Sequence, residues 1–210
     1  MNRKGVLLII SGFSGAGKGT VVKEMLNQYD NYALSISATT RKPREGEQEG
    51  VSYFFKTTDM FEQMIQENRF IEYARYVDNY YGTPRDYVEQ KMEEGYDVIL
   101  EIELQGALKV REQYPDAVLI FVTSPSAQEL ENRLCGRGTE DAATIAKRMA
   151  RASEEAPYMK KYNYVVVNET VPECAAAIHG IVQAEHARAS MNDAFIEQIQ
   201  QQLKAYAKGE

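Results

Sequence analysis

The chain has 210 residues, 44% of them hydrophobic and 26% charged, and a formal net charge of −7. That length and balance fit one globular unit with a sizeable buried core, and the acidic balance argues against a general binder of nucleic acid or of an anionic membrane surface. Any anionic ligand must then be met by local clusters of Lys and Arg.

The first predicted element is the apolar run Val6–Ile10, which reads as a strand buried on both faces. It leads into Gly12-Phe13-Ser14-Gly15-Ala16-Gly17-Lys18-Gly19-Thr20, and then into Val21, Val22, Met25, Leu26 and Tyr29 at helical spacing. Strand, glycine loop and helix in that order form a P-loop. The glycines let backbone N–H groups wrap an anion, the helix N-terminus adds a positive field, and Lys18 adds a full charge. A nucleoside triphosphate is therefore expected on Gly12, Ser14, Gly15, Ala16, Gly17, Lys18, Gly19 and Thr20. The Ser or Thr that usually follows the lysine as a Mg²⁺ ligand is replaced by Gly19. Mg²⁺ would then be held mainly by phosphates and water, with Thr20 and Glu101 as side-chain candidates.

Residues 35–84 break the α/β rhythm. Pro43 disfavours helix at Lys42, so Arg41 and Arg44 lie on an extended or turning backbone from which both forks can converge on one phosphate. The plainer alternative is a solvated basic loop answered by Glu45, Glu47 and Glu49. Alternation in Val51–Phe55 and aromatics at Tyr73, Tyr76, Tyr80 and Tyr81 make this segment β-rich.

The core pattern resumes with a strand over Asp97–Glu103, whose Glu101 and Glu103 would share one face at its C-terminal end, where parallel sheets bind ligands. A helix over Gln105–Gln113, a strand over Ala117–Thr123 and a helix over Ala127–Leu134 follow. Residues 135–157 are arginine-rich and read as a second insertion. Thr139 would cap its helix, Glu140 and Asp141 would occupy the first turn, and Arg148 and Arg151 would share a face, answered by Glu154 and Glu155 if they are merely superficial. A strand over Tyr164–Val167 precedes helix from about Val171 to Ala207. Its last part, Asp193–Lys208, carries an apolar stripe of Phe195, Ile196, Ile199, Leu203 and Tyr206, fit to dock on the body or on a partner.

Cys135 and Cys174 have no metal-ligand spacing and read as free thiols in a reducing cytoplasm. The apolar run after Met1-Asn2-Arg3-Lys4 is too short for a signal peptide, and no segment approaches the roughly 18 apolar residues of a membrane span.

The glycine loop ending Gly-Lys-Gly-Thr, the run Thr39-Thr40-Arg41-Lys42-Pro43-Arg44, then Gly46-Glu47, Gly50, Tyr53, Phe70-Ile71-Glu72, Tyr81-Gly82-Thr83, Gln105-Gly106 and Gly136-Arg137-Gly138-Thr139 together resemble guanylate kinase over about residues 4–185. The resemblance implies an α/β P-loop nucleoside-monophosphate-kinase fold: a parallel sheet flanked by helices, a mixed β-rich GMP-binding insertion and a helical lid. The matching division is a core of 1–34, 85–134 and 158–190, the insertion 35–84, the lid 135–157 and a helical tail 191–210.

It further implies that Arg41, Arg44, Tyr53 and Tyr81 bind the GMP phosphate, and that Ser37, Glu72, Thr83 and Glu103 contact guanine. Arg133, Arg137 and Arg148 would close over ATP, with Lys18, Arg137 and Arg148 stabilising the transferring phosphoryl group and Arg151 an open case. Glu72 suits guanine because a carboxylate accepts from both N1–H and the 2-amino group, a pair that adenine lacks. On residue type alone, Tyr53 and Tyr81 could equally be core aromatics. The family often has Asp at one or both of the positions held here by Glu101 and Glu103.

The implied reaction is in-line transfer from ATP to GMP in the presence of Mg²⁺. The acceptor phosphate has a second pKa of about 6, so no general base is needed, and His179 and His186 receive no role. Adenylate kinase shares the loop but lacks the Thr-Thr-Arg-x-Pro-Arg and Tyr-Gly-Thr segments. Guanylate-kinase-like phosphopeptide modules characteristically have degraded P-loops. Acceptance of dGMP and the oligomeric state stay open.

Overall fold

The computed structural model describes residues 4–76, 78–136 and 141–207. In chain order it contains β1 (Leu7–Gly12), α1 (Lys18–Gln28), β2 (Tyr32–Leu34), β3 (Ala38–Thr39), β4 (Phe54–Phe55), α2 (Thr58–Gln66), β5 (Phe70–Tyr76) and β6 (Asn79–Pro84). Then follow α3 (Arg85–Glu93), β7 (Asp97–Glu101), α4 (Leu104–Gln113), β8 (Val118–Thr123), α5 (Ala127–Cys135), α6 (Ala142–Glu155), β9 (Tyr164–Val167), α7 (Val171–His186) and α8 (Asp193–Ala207).

The core is a five-stranded parallel sheet in the order β2-β7-β1-β8-β9. The runs Leu8-Ile9-Ile10, Val98-Ile99-Leu100 and Leu119-Ile120-Phe121 are almost wholly buried, because helices cover both faces of the sheet. From α1, Val21, Val22 and Met25 pack into it, and from α7 Cys174, Ala175, Ile178 and Val182. β1 lies at the centre, and its C-terminal end opens between β7 and β8, where doubly wound sheets bind ligands.

A second, four-stranded mixed sheet runs β4-β3-β6-β5 and has a small core of its own around Ala38, Phe61 and Phe70. Phe61 comes from α2, stacks on Phe70 with ring centroids 4.3 Å apart, and meets Tyr80 at 5.2 Å. This sheet lies within the segment that breaks the α/β rhythm.

Several elements differ from the sequence expectation. β7 ends at Glu101, not Glu103; Glu103 instead caps α4 at its N-terminus. The pair therefore does not share a strand face. Ser11 Oγ donates to Ile102 O at 2.8 Å, and Ile102 N donates to Ile10 O at 3.3 Å, which draws the chain across the end of β1. The long C-terminal helix is interrupted. α7 stops at His186, a 3-10 turn spans Ala189–Met191, and Asn192 donates to His186 O and Arg188 O, each at 2.8 Å, before α8 starts. Thr139 and Glu140 lie outside the described residues, and α6 is capped by Asp141, whose carboxylate accepts from Thr144 N at 2.8 Å. β2, α2 and α3 are elements that the sequence reading did not resolve.

Candidate active site

The P-loop is built by three close approaches. At Gly12 a Cβ would fall 2.0 Å from Val122 O, so only glycine lets β1 run this close to β8 before the chain turns. Gly17 caps α1 with φ of 88°, a left-handed conformation natural to glycine, and a Cβ there would meet Asn168 Nδ2 at 2.6 Å. Asn168 is buried at the end of β9 and donates from Nδ2 to Ala16 O at 2.8 Å, so a side chain from another strand holds the loop from beneath. The sequence reading gave Asn168 no role, since a single Asn after a strand has no motif.

Lys18 Nζ donates to Gly12 O at 2.7 Å and to Phe13 O at 3.1 Å. The loop and the start of α1 frame a cavity of about 410 Å³ lined by Ser14, Gly15, Gly17, Lys18, Gly19, Thr20, Lys23 and Glu101. Lys23 of α1 also lines the cavity and adds a cation to it. Partial burial pushes the Glu101 carboxyl above the usual range, and Lys18 and Lys23 oppose that shift. A Cβ at Gly19 would lie 3.5 Å from Glu101 Oε2, which places the carboxylate over the position that usually bears a metal-binding hydroxyl.

Among the described residues no group of three or more His, Cys, Asp or Glu is arranged to hold a metal by itself. What the cavity offers is hard oxygen, from Glu101 and Thr20, beside a phosphate cradle. That donor set fits an ion bound largely through phosphates and water.

On the second sheet, Arg41, Tyr53 and Tyr81 come together. The Arg41 guanidinium lies 5.3 Å from the Tyr53 ring centroid, the Tyr53 and Tyr81 rings are 6.2 Å apart, and Tyr81 helps to hold Arg41 in its charged form. Glu47 organises the loop. Its Oε1 accepts from Arg41 Nη2 at 2.7 Å, and its Oε2 accepts from Arg44 N at 2.8 Å. Arg41 and then Arg44 hold the Glu47 carboxyl below its usual range, and Glu47 raises Arg41 in turn. Glu49 accepts instead from Phe55 N at 2.7 Å. The Arg44 side chain is exposed.

Glu72 on β5 stands opposite Thr83 on β6. The buried Thr83 hydroxyl donates to Glu72 Oε1 at 2.8 Å. Burial pushes the Glu72 carboxyl upward, while the Thr83 hydrogen bond and the charge of Lys109 pull it down. Ser37 is half-buried just ahead of β3, and its carbonyl accepts from Phe54 N at 2.9 Å.

The arginine-rich segment reaches both regions. Arg148 Nη1 donates to Ser14 Oγ of the P-loop at 3.0 Å. Arg151 pairs with Glu103 and, through Nε, with Glu155 at 2.8 Å. Arg133 donates to Glu129 at 2.7 Å and to Asn168 O at 3.0 Å, and so braces the strand end that holds the P-loop. Arg137 lies outside the described residues. Glu103 is exposed and turned toward Arg151.

A glycine loop between the central strand of a parallel sheet and its helix, faced by a mixed second sheet, defines the class: a P-loop α/β protein of the nucleoside-monophosphate-kinase fold. A family model described as guanylate kinase matches residues 4–185. The guanylate kinase of Bacillus subtilis (strain 168) is 53% identical over 187 residues, 89% of this chain and 92% of the relative. That of Latilactobacillus sakei is 51% identical over 189 residues, covering 90% and 93%. The crystal structure of guanylate kinase from Anaplasma phagocytophilum superposes with a TM-score of 0.68 at 33% identity, covering 90% of this chain and 89% of that one.

The chain belongs to the guanylate kinase family. Guanylate kinases are ATP:GMP phosphotransferases that work with a divalent metal.

Proposed function

We propose that the protein transfers the γ-phosphoryl group of ATP to GMP, giving ADP and GDP, with ATP on the P-loop and GMP on the second sheet. The observation that carries this assignment of sites is Glu72. It is a carboxylate fixed by Thr83, with one oxygen left to pair with the N–H edge of guanine. The Arg41–Tyr53–Tyr81 cluster of the same sheet supplies the acceptor-phosphate site, with Arg44 beside it.

An oxygen of the GMP phosphate attacks the γ-phosphorus in line, and the bond to the β–γ bridging oxygen breaks, leaving ADP. The acceptor is ionised near neutral pH, so the protein's task is positioning and charge stabilisation. Lys18 exchanges its loop carbonyls for the outer phosphates of ATP. Arg148 swings from Ser14 to the transferring group together with Arg137, while Arg133 supports the ATP side. Segment 135–157 acts as the lid and segment 35–84 as the acceptor domain, closing to exclude water as a rival acceptor. Ser37 and Glu103 complete the guanine site. Thr20 and Glu101 would help to hold Mg²⁺, together with phosphates and water, and the ion would supply charge neutralisation for phosphoryl transfer.

Product analysis tests this reading. ATP, Mg²⁺ and GMP should give ADP and GDP in equal amounts. ATP hydrolysis at the same rate without GMP would contradict it.

A further inference from the structure

The apolar stripe of α8 lies open. Phe195, Ile199, Leu203 and Tyr206 are 49%, 37%, 62% and 83% exposed. Ile196, Ile199, Leu203 and Tyr206 recur at intervals of 3, 4 and 3 residues. That is the seam of a two-helix coiled coil, narrower than the face by which a helix usually docks on a globular core. The family match ends at residue 185, so α8 extends beyond the matched domain.

We infer that α8 is a dimerisation helix, pairing antiparallel with α8 of a second copy of this chain. The charges favour this occupant and this orientation. Two copies carrying −7 each repel in general, yet the middle of α8 is uncharged, with Gln198, Gln200, Gln201 and Gln202 beside the seam. Its acidic residues, Asp193 and Glu197, lie in the first half and Lys204 in the second. A two-fold antiparallel pairing packs Ile199 of each copy on Leu203 of the other and Ile196 on Tyr206. It also sets Glu197 of each copy alongside Lys204 of the other, whereas a parallel pairing would oppose Glu197 to Glu197. A helix of 15 residues is about 22 Å long. Its large side chains would bury on the order of 1,000 Å² in total, near the lower limit of a specific interface, so a dimer of roughly micromolar affinity is expected.

Sedimentation velocity on the full chain across the micromolar range tests the inference. The expected result is a concentration-dependent monomer–dimer equilibrium. Ile199→Glu with Leu203→Glu should leave only monomer, folded like the parent by circular dichroism, because both side chains are exposed on the single chain. Glu197→Lys should raise the dissociation constant roughly fivefold, and adding Lys204→Glu should restore it. A chain that stays monomeric throughout, with the tail folded on its own body or kept for another protein, overturns the inference. So does a dimer that survives the double Glu substitution, or one indifferent to Glu197→Lys. Kinase activity is not part of this test, so its failure and that of the proposed function are separate results.

Discussion

Glu72 combines opposite demands. Burial raises its carboxyl, so the folded pKa lies above the unfolded one. Between those two values the folded state holds the proton more tightly. The stability this contributes is present in full below the ordinary carboxylate pKa and is lost as pH rises through the raised one. Glu72→Gln abolishes that loss. The ligand-free variant should therefore melt above the parent at pH 7, and the difference should shrink toward pH 4 in thermal scans. In the proposed function the same change removes the acceptor for two guanine N–H groups, and it should lower kcat/KM for GMP roughly a hundredfold. Lys18 and the Arg41–Arg44 pair were legible as charges at motif spacing. Glu47 was read only as an answering charge, because a sequence does not show that one carboxylate joins a guanidinium to a neighbouring backbone amide.

Local pattern foretold the elements that have a strong period. β1, the glycine loop and α1 combine an apolar run, obligatory glycines and a helical stripe, and they form where expected. β2 is three residues long, too short for a pattern, and is a strand because β7 offers a register for Tyr32–Leu34. α2 did carry a signal: Thr57 accepts from Met60 N at 3.2 Å as the N-cap, with Phe61, Met64 and Ile65 at helical spacing behind it. The early end of β7 was not legible, because Glu-Ile-Glu alternates like a strand whether or not the backbone turns after Glu101. The brace beneath the P-loop belongs to three elements at once and so to no local pattern. Asn168→Ala leaves the buried Ala16 carbonyl without its side-chain partner. It should cost about 1–3 kcal/mol in urea unfolding and raise KM for ATP severalfold, with little change in KM for GMP.

The whole molecule is tied together where sequence reasoning saw nothing. His186 at the end of α7 places Nε2 2.8 Å from Asp97 Oδ1 at the start of β7, with both side chains buried. Asp97 also accepts from Val6 N at 2.8 Å and from Asn31 Nδ2 at 2.7 Å, so one carboxylate joins β1, β7, the entry to β2 and α7. His179, one helical face along, stacks on Tyr29 at 3.8 Å, with Nδ1 2.8 Å from the Tyr32 hydroxyl. The histidines lie away from the described cavity and anchor α7 to the sheet. Removing one partner of a buried pair is costly, so His186→Ala should lower unfolding free energy by about 3 kcal/mol while leaving kcat near that of the parent. Burial pushes the Cys174 thiol of the same helix up to about 11, which makes it an inert core group. With the frame fixed in this way, the proposed function assigns closure over substrates to the second sheet and the arginine-bearing α6. The measurement that bears on this most directly is ADP formation from ATP and Mg²⁺ with GMP, AMP, CMP or UMP as acceptor, beside Lys18→Ala. Turnover with GMP alone, abolished in the variant, is the predicted result; turnover with AMP, or none with any acceptor from folded protein, would contradict it.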